Sequence, residues 1–216
     1  MKTKITLFSL ATATILASCG GEQAPEAATT TAKDSIPQVS TPTITVDTFK
    51  VETGASEVKW TGTKPNGKGH NGFIRIKEGW FGLSEGKLIN GDISIDMQQI
   101  HNLDLKDEKD KAKLVDHLKS KDFFEAETYP TARFVITSAT DSTVTGDLTI
   151  KSTTNSVTFP YSIKEMGDLL VVESKKFSID RTKWGVVYNS GTIEGMAKDK
   201  LINDLMELQV SLTANK

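Results

Sequence analysis

Few side chains in this 216-residue sequence could carry chemistry: three histidines and one cysteine, among 28 carboxylates and 26 lysines and arginines. His101 and His117 lie sixteen residues apart and His70 is remote from both. None has the spacing that sets two imidazoles on one helix face around a zinc ion. A single cysteine excludes an intramolecular disulfide, and with it any zinc site built on four cysteines or on two cysteines and two histidines. The acidic run DLKDEKD lacks the alternating Asp/Asn and the turn glycine of a calcium loop, and reads as the solvated start of a helix. No nucleophile elbow, phosphate-cradling glycine loop or dinucleotide fingerprint occurs. A hydrolytic triad is recognised by geometry and not by spacing, so an enzyme acting on a lipid stays open as an alternative, with no residue pattern favouring it. The expectation is a protein that is not an enzyme, with no catalytic residue, metal or cofactor.

What the sequence supplies instead is alternation. Val58 and Trp60, Ile74 and Ile76, and Ile93, Ile95 and Met97 each alternate with polar neighbours. Phe134 and Ile136, Leu148 and Ile150, and Val157, Phe159, Tyr161 and Ile163 continue the pattern. Phe177 and Ile179 follow, and Met206, Leu208, Val210 and Leu212 close the chain. Strand side chains repeat every two residues, so one apolar row beside one wet row predicts antiparallel sheet with a single buried face. Eight or so strands without an internal repeat, many separated by glycine-containing turns, predict a meander closed as a sandwich or barrel. An eight-stranded barrel has an interior that side chains just fill or that holds one ligand. Residues 107–118 depart from the pattern: Ala112, Leu114, Val115 and Leu118 are spaced for one helical stripe, with acids in the first turn to suit the helix dipole. In HLKSKDFFEAETYPTARF that helix runs into Phe123 and Phe124, an aromatic pair in a connection, expected to close one barrel end as a plug or gate.

Strand parity then nominates site residues. If Ile74 and Ile76 point inward, so does His70; if Phe177 and Ile179 do, so does Arg181. Either could meet a ligand's polar head, or Arg181 could pair with an acid at a barrel mouth while His70 is a satisfied rim residue. A bulge would reverse the parity. Trp60, Phe123, Phe124, Phe134, Phe159, Phe177 and Trp184 are the aromatic candidates for ligand contact, with ordinary packing as the alternative.

The first residues read as a targeting segment. Lys2 and Lys4 precede an apolar-to-small run that is too short to be a convincing membrane span. It ends in Leu16-Ala17-Ser18-Cys19, which resembles the lipobox of bacterial lipoproteins. That resemblance implies removal of residues 1–18 and acylation of Cys19, and a second acyl chain matters because single chains anchor only marginally. Residues 19–43, rich in Thr, Ala, Pro and Glu, are expected to form a linker, because such a segment buries too little surface to offset its ordering entropy. Losing Lys2 and Lys4 leaves 24 bases against 28 acids, a balance of −4. That charge, and the lack of a basic run, argue against a nucleic-acid partner.

The remaining residues, 44–216, are expected to form one domain, which from roughly Asp47 to Ala214 resembles a known family. HLKSKDFFEAETYPTARF, GDLTIKSTTNSVTFP, FSIDRTKWGVVYNS and the upstream VKWTGTKPNGKGHNGFIRIKEG together look like the signature of YceI-like domains. The resemblance implies an all-β fold with one short helix, an extended antiparallel lipocalin-like β-barrel. It also implies an apolar partner inside it: a long-chain isoprenoid or other lipid. Ser152 stands where the family usually has a turn glycine, and is expected to alter only a hairpin. The whole reading is a lipoprotein of the bacterial cell envelope, anchored to a membrane (the outer membrane, facing the periplasm) by lipidated Cys19. It holds a polyisoprenoid, quinone-like or fatty-acyl chain. The alternative is a stress-response or interaction module with a packed barrel. A homodimer is left open.

Overall fold

The computed structural model describes residues 45–216; the expected signal segment, Cys19 and the whole of the expected linker lie outside them. Strands β1 (Asp47–Lys50), β2 (Glu57–Thr63), β3 (Gly69–Ser84) and β4 (Lys87–Asn102) come first, followed by helix α1 (Glu108–Lys119). Then come β5 (Thr131–Ala139), β6 (Thr143–Ile150), β7 (Thr153–Met166), β8 (Leu169–Ser174), β9 (Phe177–Asp180) and β10 (Leu205–Asn215). All pairings are antiparallel, in the order β3-β2-β10-β8-β7-β6-β5-β4, and β4 pairs back onto β3. Eight strands thus close a ring, with β1 added on β3 and β9 on β10. Strand β2 takes Gly69–Arg75 of β3 and β1 takes Trp80–Leu83, so the two act as one interrupted strand. Their junction is pinned by buried Ser56, whose Oγ accepts from the Thr213 amide at 2.9 Å. In the same way β9 and β8 share β10.

The alternating residues form the interior. Val58, Ile74, Ile76, Ile93, Ile95, Met97, Ile136, Leu148, Ile150, Phe159, Tyr161, Ile179, Leu208 and Leu212 are all buried. The β3–β4 hairpin, two strands of 16 residues, carries register shifts near Ile74, Ile76 and Gly82. These move the buried set from even positions at Ile76 to odd at Phe81 and leave Trp80 half-exposed outside, the parity reversal a bulge produces. The β6–β7 turn is two residues long, Ile150 pairing with Thr153, and Lys151 takes its left-handed position at φ 55°. Ser152 is the second residue of this turn.

Helix α1 begins one residue later than the acidic run suggests, because Asp107 is its N-cap: the carboxylate accepts from the amides of Lys109 at 2.9 Å and Asp110 at 3.1 Å. The expected apolar stripe is only partly used. Leu118 is buried and Leu114 packs against the core, but Ala112 is exposed. The helix therefore lies on the rim and covers the barrel end through its last turn. That end, called here the helix end, is built from the β2–β3 hairpin, residues 103–130, the β6–β7 turn and residues 181–204. The opposite end consists of the β3–β4, β5–β6 and β7–β8 hairpins.

Candidate ligand-binding cavity

Inside the ring lie two abutting cavities. The one at the helix end has a volume of about 100 Å³; its floor and walls include Trp60, Met97, Ile100, Phe123, Phe124 and Met206. The one toward the hairpin end has about 70 Å³ and is lined by residues such as Ile93, Phe134, Val144, Phe159, Phe177 and Leu212. Four residues belong to both walls: Val58, Ile95, Leu148 and Leu208. Both walls are almost wholly hydrocarbon.

Local structure explains how the aromatics arrive there. After α1, the chain turns on Glu125 at φ 49°, with the Phe124 amide donating to Leu118 O at 3.1 Å and the Ala126 amide to Lys119 O at 2.8 Å. This tight turn buries both Phe123 and Phe124 under the helix end. The Phe123 ring packs against His117 and Tyr188, at centroid distances of 5.1 and 5.2 Å. Toward the hairpin end, Phe159 stacks on Phe177 at 4.2 Å and packs on Phe134 at 5.4 Å. The latter ring has space only because residue 146 is glycine: a Cβ there would collide with Phe134 Cζ. Gly72 serves Trp60 similarly, since a Cβ would meet the indole and the His101 carbonyl.

Of the nine residues nominated from sequence, seven line a cavity: Trp60, Phe123, Phe124 and Arg181 at the helix end, and Phe134, Phe159 and Phe177 beyond it. His70 lines neither. Its ring sits on the rim, 43% exposed, with Nδ1 2.8 Å from Asp104 Oδ2. Parity gives the side on which a residue points but not its depth, and His70 lies too near the strand's start. Burial raises the Asp104 carboxyl, but the Asn71 amide, His70 and Asn102 outweigh it and hold that carboxyl below its ordinary value. Trp184 lines neither cavity: it is buried, and its Nε1 donates to Leu148 O at 2.9 Å, making it a brace for β6.

Arg181, 4% exposed, is held by the backbone. Nη1 donates to Val186 O at 2.7 Å, Nη2 to Ile202 O at 3.0 Å and Asp204 Oδ1 at 3.3 Å, and Nε to Asn203 O at 3.2 Å. Burial pulls its pKa below the ordinary guanidinium value, opposed by Asp204 and Asp180. Its donors are thus spent on closing the base of residues 186–202, and what it offers the cavity is hydrocarbon. Sequence reasoning missed Val186, Ile202 and Asn203, which also line the helix-end cavity. They lie in irregular chain with no period to mark them. Among the described residues no three His, Cys, Asp or Glu side chains group as a metal site, and no helix is long and apolar enough to cross a membrane.

The fold and its interior define a closed antiparallel β-barrel with one rim helix and an apolar, partly hollow interior. The YceI-like domain model matches residues 48–214, and the chain belongs to that family. A UPF0312 protein of Staphylococcus aureus strain USA300 is 32% identical over 108 residues, covering 44% of this chain and 61% of that relative. The chain thus spans about three fifths of the length of the curated relatives it matches. Among solved structures, Burkholderia cenocepacia BcnA superposes with a TM-score of 0.58 at 21% identity, covering 76% of this chain and 99% of that one. A polyisoprenoid binding domain from Saccharophagus degradans gives 0.56 at 13% identity, covering 77% and 97%. At these identities the superpositions speak for the shared fold.

Proposed function

We propose that this protein is a non-enzymatic carrier that holds a long apolar chain, polyisoprenoid, quinone-like or fatty-acyl, inside its barrel. The observation that carries the reading is the pair of abutting cavities with hydrocarbon walls. An empty apolar cavity forfeits dispersion contacts that a hydrocarbon would restore. Each methylene moved from water into it contributes about 0.8 kcal/mol. The structural neighbour from Saccharophagus degradans, described as polyisoprenoid binding, supports the same class of ligand. Trp60, Phe123, Phe124, Phe134, Phe159 and Phe177 supply the contact surface, and Phe123 with Phe124 acts as the plug of the helix end.

The same proposal places the protein at the bacterial cell envelope, tethered to the outer membrane and facing the periplasm through acylated Cys19. There it would sequester or present a lipid that water does not dissolve. The test is titration of the unlipidated domain with a fluorescent polyprenyl probe. Saturable uptake, competed by unlabelled polyprenol and lost on unfolding, is expected. A probe that stays in the buffer or partitions without saturation leaves the packed-barrel interaction module as the better account.

A further inference from the structure

The four residues common to both cavities are not scattered. Val58 on β2 and Leu208 on β10 come from adjacent strands, and Val58 itself pairs with Val210 of β10. Ile95 on β4 and Leu148 on β6 come from the two strands that flank β5. All four are buried, between 6% and 9% exposed. They line the boundary between the two cavities, with about 100 Å³ of space on one side and about 70 Å³ on the other. Position 148 is fixed from outside the cavity as well, by the bond from buried Trp184 to its carbonyl. Between Ile95 and Leu148, β5 contributes Ala132, paired with Ile95, and Phe134, paired with Leu148.

We infer that this boundary is a waist that sets which chains the barrel accepts. A ligand longer than the helix-end compartment must thread between Val58, Ile95, Leu148 and Leu208 to gain further contacts in the second. Arg181, the cation in the helix-end wall, is already bonded to the chain, so neither compartment holds a free cation for a head group; among the described residues, the buried Trp60 Nε1 is the one side-chain donor in that wall without a partner. Selection is then by the length and slenderness of the tail, with the head outside the barrel. This rests on the carrier reading above and assigns to four aliphatic residues the role of its length gauge.

The experiment measures affinities for a ladder of straight-chain fatty acids and the matching fatty alcohols on the folded domain. In the native protein each added methylene is expected to tighten binding about fourfold until the barrel is full. Val58→Phe and Ile95→Phe put a ring into the waist. Each is expected to reach its plateau several methylenes earlier than the native protein, with the native circular dichroism spectrum and a cooperative melt showing that it has folded. Acids and alcohols of equal length are expected to bind within a few-fold of each other. A plateau at the same chain length in the native protein and in both variants overturns the inference while leaving the carrier standing. An acid-over-alcohol preference of about a hundredfold, roughly 2.7 kcal/mol, overturns the placement of the head. A native protein that binds no member of the ladder refutes the carrier reading itself, and the waist with it.

Discussion

Arg181→Leu should cost the fold far more than it costs any distinction between head groups. The guanidinium makes four hydrogen bonds, three of them to carbonyls of Val186, Ile202 and Asn203. Val186 is 1% exposed, so its carbonyl would be left buried without a donor, at a cost of about 1–3 kcal/mol. The Ile202 and Asn203 carbonyls belong to half-buried residues that water can partly reach, and the Asp204 carboxylate is only 28% exposed. Breaking a buried, charge-assisted cluster of this kind costs about 3–5 kcal/mol in all. For a domain of this size that corresponds to a fall of roughly 6–20 °C in Tm. The assay is thermal unfolding by circular dichroism, together with uptake of a charged-head amphiphile and of a plain hydrocarbon at a temperature where both proteins are folded. The account predicts the Tm loss and equal weakening for both ligands. A Tm within about 2 °C of the native value, or loss confined to the charged-head ligand, would refute the reasoning and make Arg181 a head-group contact.

Three further expectations follow from single residues. Gly146→Ala drives a methyl group into the Phe134 ring and the Val135 carbonyl; overpacking of this sort should cost about 1–3 kcal/mol in denaturant unfolding and disturb the near-ultraviolet signal of the Phe134–Phe159–Phe177 stack. The His101 imidazole, stacked on Phe73 at 4.5 Å, is held below its ordinary pKa by burial first and then by Arg75 and Lys119. Its protonation therefore opposes folding, so stability should fall as pH drops through the ordinary histidine range toward the lower folded value, and His101→Asn should flatten that slope in a pH series of melts. Cys19→Ser should move the protein from the membrane fraction to the soluble fraction of its native host, and a protein that stays with the membrane would contradict the proposed anchor.

Strand content was open to reading from period-two alternation, because each of these strands has one wet and one buried face. Most of the inward residues, from Val58 to Leu212, followed from it. The burial of Phe123 and Phe124 was also legible, since two adjacent rings in a charged connection need apolar cover. Depth was not. His70 and Arg181 were placed on a side by parity, but rim exposure and backbone bonding depend on where each strand ends and on residues 202–204 folding back onto Arg181. Nor could alternation show that Trp184 braces Leu148 from outside the cavity, a contact across 36 positions. The residues of the proposed waist are the clearest case. Val58, Ile95, Leu148 and Leu208 come from four strands, and only the closure of the ring brings them to the boundary between the two cavities. Val186 and Ile202 line the cavity from irregular segments whose backbone carries no period at all.

The measurement that bears most directly on the carrier reading is native mass spectrometry of the domain purified from a lipid-containing host without detergent, followed by organic extraction. The account predicts a population heavier than the polypeptide by the mass of one long-chain lipid, released on denaturation and recovered in the extract. A domain that is homogeneous at its polypeptide mass, and that stays so after incubation with polyprenol, quinone and fatty-acyl probes, would contradict it.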